Sequence, residues 1–279
     1  MLTLVVGRSS NLSTQLAASL DECWLVPARD LTAEAFAALL PDRDFRVVIN
    51  SFQPSAQLRD LSNPVRYGDL SLGVTTRVLQ ALAGSRCRKV VYTSSASVYG
   101  NNVSCAESDP SQAGDLHSGL KVANEHLVRG FCLDHGIDST VARLFNMYGA
   151  HDTFSVVAKV LAVVRTGATL PVTNDGNAVR DFIRIDDVVR IYRALLETSA
   201  LPVVNVASGT GVSVRTIVDA VRLHGYRLRT VSRPRQEIRV STADVSLLSG
   251  LVDVAGFTQV VDHVLAELEN SSPETGGSS

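Results

Sequence analysis

Apolar positions along the chain gather into short runs separated by longer stretches of helical spacing. Residues 2–6, 46–49, 89–93, 139–144 and 203–206 read as buried strands, and 12–20, 74–82 and 122–132 read as helices. Strand then helix, repeated, predicts a parallel sheet with helices on both faces, since each parallel crossover needs a long connection. The alternation is regular to about residue 145 and then breaks up, with a polar loop at 173–180 and a basic segment at 227–239. The expected fold is therefore α/β, a doubly wound parallel sheet followed by a smaller, partly interleaved region. The boundaries are 1–150 for the first unit, 151–269 for the second and 270–279 for a tail too polar to pack, expected to be disordered. No internal repeat is visible.

With 279 residues, 45% hydrophobic and 19% charged, the chain can bury one large core or two small ones. That excludes a disordered, collagen-like or disulfide-scaffold protein. The 26 basic and 28 acidic side chains nearly cancel, so no overall field draws the chain to nucleic acid or to an anionic membrane. Neither partner is expected, and an acidic ligand must be held locally. Only Lys89, Lys121 and Lys159 are lysines, against 23 arginines, so a lysine retained here marks a position that needs an amine. Cys23, Cys87, Cys105 and Cys132 form no C-x-x-C pair, and His126, His135 and His151 show no ligand spacing, so no metal site is expected. Residues 1–6 run straight into Gly7 with no basic leader, long apolar run or cleavage site, which makes a cytoplasmic protein the expectation.

The segment from Gly7 through Arg8, Ser9, Ser10, Asn11 and Leu12 to Ser13 has the layout of a tight turn opening a helix after a strand. In a dinucleotide fold that helix N-terminus faces the pyrophosphate with free N–H groups. Where a G-x-x-G-x-x-G loop has three glycines, this chain has Gly7, Ser10 and Ser13. A serine hydroxyl bonds phosphate, but its Cβ restricts the approach. The turn is thus either a cofactor cradle using Gly7, Arg8, Ser10, Asn11 and Leu12 or an ordinary capped βα turn. Arg8 either reaches a ribose 2′-phosphate, favouring NADP, or stands in solvent. The second strand is compressed into 23–26 with no acidic residue at its end to take a ribose diol, and Asp30 is the candidate to face the adenine instead.

Residues 89–100 read Lys-Val-Val-Tyr-Thr-Ser-Ser-Ala-Ser-Val-Tyr-Gly, a buried strand ending in hydroxyls. Such side chains at the C-terminal end of a parallel strand point into the ligand crevice. Downstream, His117 and Lys121 share a helix face at i and i+4. The run from Ser94 to Gly100, the segment Arg143 to Gly149 and the segment Asp175 to Asp187 follow one another in the order of a known signature set. Asn205 to Gly209, Arg233-Pro234 and Ala243-Asp244 continue it. Through these motifs the chain resembles the extended short-chain dehydrogenase/reductases, the NAD-dependent epimerase/dehydratase family that modifies nucleotide sugars, over residues 1–265.

The resemblance implies a Rossmann-like sheet, NAD or NADP as cofactor and a nucleotide-diphosphate sugar as substrate. It implies that Ser95 bonds the sugar oxygen undergoing redox, that Lys121 binds the nicotinamide ribose, and that Asn146 and Arg180 meet the diphosphate and Arg233 the nucleotide end. For Arg180 the alternative is a structural pair with Asp181 or Asp187. The family's tyrosine, four residues before the lysine, is His117 here. An imidazole titrates near pH 6.5, against about 10 for a phenol, so it either takes over the proton transfer or merely fills the space. The Asp-Glu pair that the family's 4,6-dehydratases carry is replaced by Ala96 and Ser97, which disfavours dehydration. The Asp186-Asp187 pair is expected to cap a helix and charge its first turn. What remains is 4-ketoreduction, a 4-epimerase that retains its NAD, or a catalytically silent nucleotide-sugar binder. By analogy with the family, a homodimer would form through the helix containing 122–132.

Overall fold

The computed structural model describes residues 1–28, 31–50 and 63–271. The first half alternates as expected: β1 (Leu2–Val6), α1 (Asn11–Ser19), β2 (Cys23–Val26), α2 (Ala33–Ala37), β3 (Phe45–Ile49), α3 (Pro64–Gly68), α4 (Val74–Leu82) and β4 (Cys87–Ser95). There follow β5 (Asn102–Cys105), α5 (Leu116–Asp134), β6 (Asp138–Leu144) and β7 (Asn146–Tyr148). The rest comprises α6 (Val156–Thr166), β8 (Thr169–Thr173), β9 (Val179–Arg184), α7 (Ile185–Glu197), β10 (Val203–Val206) and β11 (Gly211–Ser213). It closes with α8 (Val214–Leu223), β12 (Arg229–Arg233), β13 (Val240–Ala243), α9 (Ser246–Ser249) and α10 (Val260–Glu269).

Six strands form the main sheet in the order β10-β6-β4-β3-β1-β2, every neighbour parallel. Period-2 alternation splits its strands between two cores. Leu4, Val6, Val47, Ile49, Val90 and Tyr92 pack under α4 and α5 on one face, and Val5, Val48, Val91 and Ala142 pack under α1 and α7 on the other. Burial on both faces is why these strands read as continuous apolar runs. The chain winds outward in opposite directions from β1 and β3, and a ligand crevice opens at such a switch point, beyond the carboxyl ends of the strands. Those ends are Gly7 to Ser10 after β1, Asn50 after β3 and Ser95 at the end of β4.

The second half is only partly separate, since β10 extends the main sheet beside β6 and α7 packs on it. Beyond it lie a five-stranded sheet, β11-β9-β13-β5 with β7 on β9, and the parallel pair β8 and β12. A third core of Tyr148, Val160, Leu170, Phe182, Ile217 and Val264 holds this part together.

Two local expectations change. The polar loop at 173–180 is instead the end of β8, a tight turn at Asn174–Gly176 and the start of β9, because β9 finds partners in β7, β11 and β13. The turn is tight enough that a Cβ on Gly176, whose φ is +74°, would lie 2.9 Å from the Arg215 nitrogen. The N-cap of α7 is Arg184, with no side-chain cap, so Asp186 and Asp187 provide first-turn charge only. Cys23 is partly exposed because β2 is the sheet's edge, whereas the other three thiols are buried. Asp30 and the tail from 272 onward lie outside the described residues.

Candidate active site

β4 ends at Ser95, where the backbone turns into one short helical turn, Ala96–Tyr99. Ser95 caps that turn: its Oγ accepts from the Ser97 N–H at 3.2 Å and from the Ser97 Oγ at 3.0 Å. The turn is anchored by buried Val98 and by Tyr99, whose hydroxyl donates to Asn205 Oδ1 at 2.7 Å. Facing it, α5 starts in a capping box in which Asp115 Oδ1 accepts from the Ser118 N–H at 2.8 Å and the Asp115 N–H donates to Ser118 Oγ at 3.2 Å. That start sets the helix phase, so His117 and Lys121 both face the end of β4. His117 Nδ1 lies 3.5 Å from Ser97 Oγ, and Lys121 Nζ donates to the Thr93 carbonyl at 2.7 Å.

Electrostatics at the cluster follow from burial. Lys121 is buried, which pushes its ammonium down to about 7 against the opposing pull of Glu125. Half-buried His117 is held below the usual imidazole value by burial first and the Lys121 charge second, with Asp115 opposing. One turn beyond Lys121, Glu125 accepts from Ser94 Oγ and from Arg143 Nε and Nη2 at 3.2 and 2.8 Å. The Arg143 guanidinium also lies 4.7 Å over the Tyr99 ring.

At the first turn, Gly7 takes φ +109°, which its missing side chain permits, and the N–H groups of Gly7 and Arg8 both donate to Val26 O. Ser10 caps α1 through Ser13 N at 3.0 Å. The two serines in the glycine positions are tied together and to Asn50, whose Nδ2 donates to Ser10 Oγ at 2.7 Å and Ser13 Oγ at 2.8 Å. The hydroxyls thus knit β1, α1 and β3 where glycines would leave space. The first-turn N–H groups of Asn11 and Leu12 remain the donors an anion takes at a helix start. Asn11 Nδ2 donates to Gly149 O at 3.0 Å, and its buried Oδ1 has no partner among the described residues. A helix start with these donors, beside a buried amine and a hydroxyl-ended strand, fits a dinucleotide.

The structure therefore brings Ser95, His117 and Lys121 together at one end of β4. Asn146 and Arg180 stand on paired strands, and Asn146 Nδ2 donates to the Asp181 carbonyl at 3.0 Å. Arg180 pairs with neither Asp181 nor Asp187: it donates to Val179 O at 2.9 Å, Ile238 O at 2.6 Å and Glu237 Oε2 at 3.4 Å. The Asp181 carboxylate is already taken by other donors, and Asp187 is paired with Arg190 on its own helix. Arg233 is exposed at the end of β12, on a different sheet. Sequence reasoning missed Asn50 and Glu237 and saw Ser97 only as a lost acid. Glu125 was within reach of helix periodicity, four residues after Lys121. Among the described residues no group of three His, Cys, Asp or Glu side chains is placed to hold a metal, and no helix is long and apolar enough to cross a membrane.

A doubly wound sheet with a serine, an imidazole and a buried amine at the carboxyl end of β4, next to the switch-point strand β3, has the architecture of a nucleotide-binding α/β protein. The sequence pattern of the NAD dependent epimerase/dehydratase family matches residues 3–207, and the chain belongs to that family. It is 28% identical over 195 residues to a UDP-glucose 4-epimerase of Streptomyces lividans, covering 62% of this chain and 59% of that protein, less than two thirds of its length. It is 25% identical over 240 residues to a dTDP-4-dehydro-6-deoxy-D-allose reductase of a Streptomyces species, covering 82% of this chain and 72% of that one. In structure it resembles the UDP-glucuronic acid 4-epimerase of Bacillus cereus, solved with UDP-glucuronic acid and NAD, at a TM-score of 0.85 and 19% identity over 96% of this chain and 98% of that one. At that identity the likeness concerns the fold.

Proposed function

We propose that the protein is an NAD(P)-dependent enzyme that reduces a 4-keto nucleotide-diphosphate sugar. A single observation supports it most: Ser95, His117 and Lys121 converge in one crevice, two of them with depressed proton affinities. In this reading the dinucleotide supplies the hydride, and its pyrophosphate lies at the start of α1 against Gly7, Arg8, Asn11 and Leu12. Ser10 supports that turn from behind as its cap. Lys121 orients the nicotinamide ribose, Ser95 holds the sugar oxygen and His117 supplies the proton. Arg180, with Asn146 beside it and Arg233 at the nucleotide end, meets the substrate's phosphates, for which a guanidinium fork is well shaped.

Ala96 and Ser97 leave no acid and base pair for a dehydration, and the Streptomyces reductase relative favours reduction. A 4-epimerase that retains its NAD is the second reading, supported by the Ser94 to Gly100 motif and the Streptomyces lividans relative. The two separate on nucleotide released by denaturing the purified protein and on NADPH oxidation with UDP- and dTDP-4-keto sugars. Consumption of NADPH by a protein purified empty supports the reductase. Stoichiometric bound NAD with no net oxidation points to the epimerase. Binding of a nucleotide sugar with no chemistry, unchanged in His117→Phe, would leave a silent binder.

A further inference from the structure

Histidine reaches less far from its backbone than tyrosine, so an imidazole in a tyrosine's place needs a way to span the missing distance. The hydroxyls beside it are arranged in one direction. Ser97 Oγ donates its single hydrogen to Ser95 Oγ at 3.0 Å, and the Ser97 N–H donates to the same oxygen at 3.2 Å. Both lone pairs of Ser95 Oγ are thereby used, and its own hydrogen points onward as a donor. Ser97, having given its hydrogen to Ser95, can only accept at the 3.5 Å contact with His117 Nδ1, which assigns a hydrogen to Nδ1. The result is a chain of donors running from the imidazole to Ser97, to Ser95 and out into the crevice. It is built on rigid parts, a strand end, a capped helical turn and the first turn of α5.

We propose that His117 exchanges its proton with the substrate oxygen through the two hydroxyls of Ser97 and Ser95, without touching the sugar itself. This rests on the reductase reading and specifies the proton path. As the hydride of a reduced nicotinamide dinucleotide joins the carbonyl carbon, the C=O π pair moves onto oxygen, which takes the Ser95 proton. Ser95 takes the Ser97 proton, and Ser97 takes the Nδ1 proton of the imidazolium. The imidazole ends neutral with its hydrogen on Nε2, the chain of hydroxyls is reversed, and a proton from solvent restores it. Among the described residues, the charged groups that act on His117 include Lys121 on its own helix and Asp115 at the helix start, and the turn after β4 presents the hydroxyls of Ser95 and Ser97. The 3.5 Å link is long, as acid-base contacts often are before substrate tightens them.

The test uses the full chain labelled with 15N-histidine, with His117→Gln to assign the resonance. Neutral His117 is expected mainly as the Nδ1–H tautomer in the native protein and mainly as Nε2–H, the intrinsic preference of imidazole, in Ser97→Ala. With NADPH and dTDP- or UDP-4-keto sugars, Ser97→Ala is expected to lower kcat by about a hundredfold, a typical share for positioned acid-base transfer, with KM within about twofold. Ser97→Thr keeps the hydroxyl and is expected to restore most of the rate, which a packing role would not require. A native Nε2–H tautomer, or full turnover in Ser97→Ala, overturns the relay. A native Nδ1–H tautomer in a protein that turns over neither sugar supports the hydrogen-bond polarity and overturns the reductase reading.

Discussion

Two buried carboxylates, one in each part of the molecule, are satisfied in opposite ways. In the main sheet Glu125 meets a formal charge, the Arg143 guanidinium, and with Ser94 it ties α5 to β4 and β6. In the outer sheet Asp181 meets only dipoles. Its Oδ1 accepts from the Ser208 N–H and hydroxyl, both at 2.8 Å, and its Oδ2 from the N–H groups of Gly209 at 2.9 Å and Ala243 at 3.4 Å. These bonds hold β9, which carries Arg180, to the loop after β10 and to β13. Burial pushes the Asp181 carboxyl up to about 6, with the Ser208 and backbone donors pulling the other way. The lesson is that a charge pair ties down the end that carries Ser95, His117 and Lys121, whereas a carboxylate held by dipoles leaves the strand that carries Arg180 sensitive to pH.

The strongest way to break this contrast is at the charge pair. Glu125→Leu leaves Arg143 buried without its partner and is expected to cost about 3–5 kcal/mol of stability, read from urea unfolding. Adding Arg143→Met should recover most of that loss, because two apolar groups need no partner. The single substitution also removes the carboxylate that opposes the depression of Lys121, so the Lys121 amine should titrate below about 7, measurable by NMR of a 15N-lysine label.

Asp181→Asn is the matching break in the outer sheet. An amide turns a donor toward two N–H groups, so the expected loss is about 2–3 kcal/mol, smaller than for a stranded guanidinium. Its distinguishing mark is pH. A carboxyl at about 6 in the folded chain, against about 3.9 unfolded, holds a proton that the unfolded chain has already lost. Its contribution is fully present below pH 4 and lost as pH rises through 6, at up to about 1.4 kcal/mol per pH unit. The stability gap between the native protein and Asp181→Asn should therefore widen as pH falls from 7 to 5. A constant gap would show that the Asp181 carboxyl is not raised.

The two ends also differ in how much of them the sequence discloses. Strands at 2–6, 23–26 and 203–206 and the helix at 74–82 were legible to the residue: 2–6 and 203–206 as apolar runs buried in the sheet, 23–26 as the compressed second strand, here on the exposed edge, and 74–82 by its helical period. Of the outer strands, β5, β7 and β11 have only three or four residues, β8 alternates exposed and buried positions and β12 is largely exposed, and their pairing depends on chain that is distant in sequence. Ser95, His117 and Lys121 could be found by strand end and helix spacing. Asn50 acts on Ser10 from 40 residues away and Glu237 on Arg180 from 57, and no local period reports such contacts. Asp181 was readable only as a neighbour of Arg180; its actual donors come from two other strands' ends.

The contrast sharpens most gently at Ser208. Ser208→Ala deletes one of the donors to Asp181 Oδ1 and keeps the backbone N–H that reaches the same oxygen, so the site survives. Losing one hydrogen bond to a charged group is expected to cost about 1–2 kcal/mol at pH 8, where Asp181 is ionised. With that donor gone, the balance between burial and hydrogen bonding shifts toward burial, so the carboxyl should titrate above about 6. The loss should therefore shrink as pH falls toward 5, because a protonated carboxyl has less need of the donor. Unfolding at pH 8 and pH 5 measures both parts at once. A loss equal at the two values would mean that Ser208 only packs against Asp181, and that the outer sheet is held without reference to its charge.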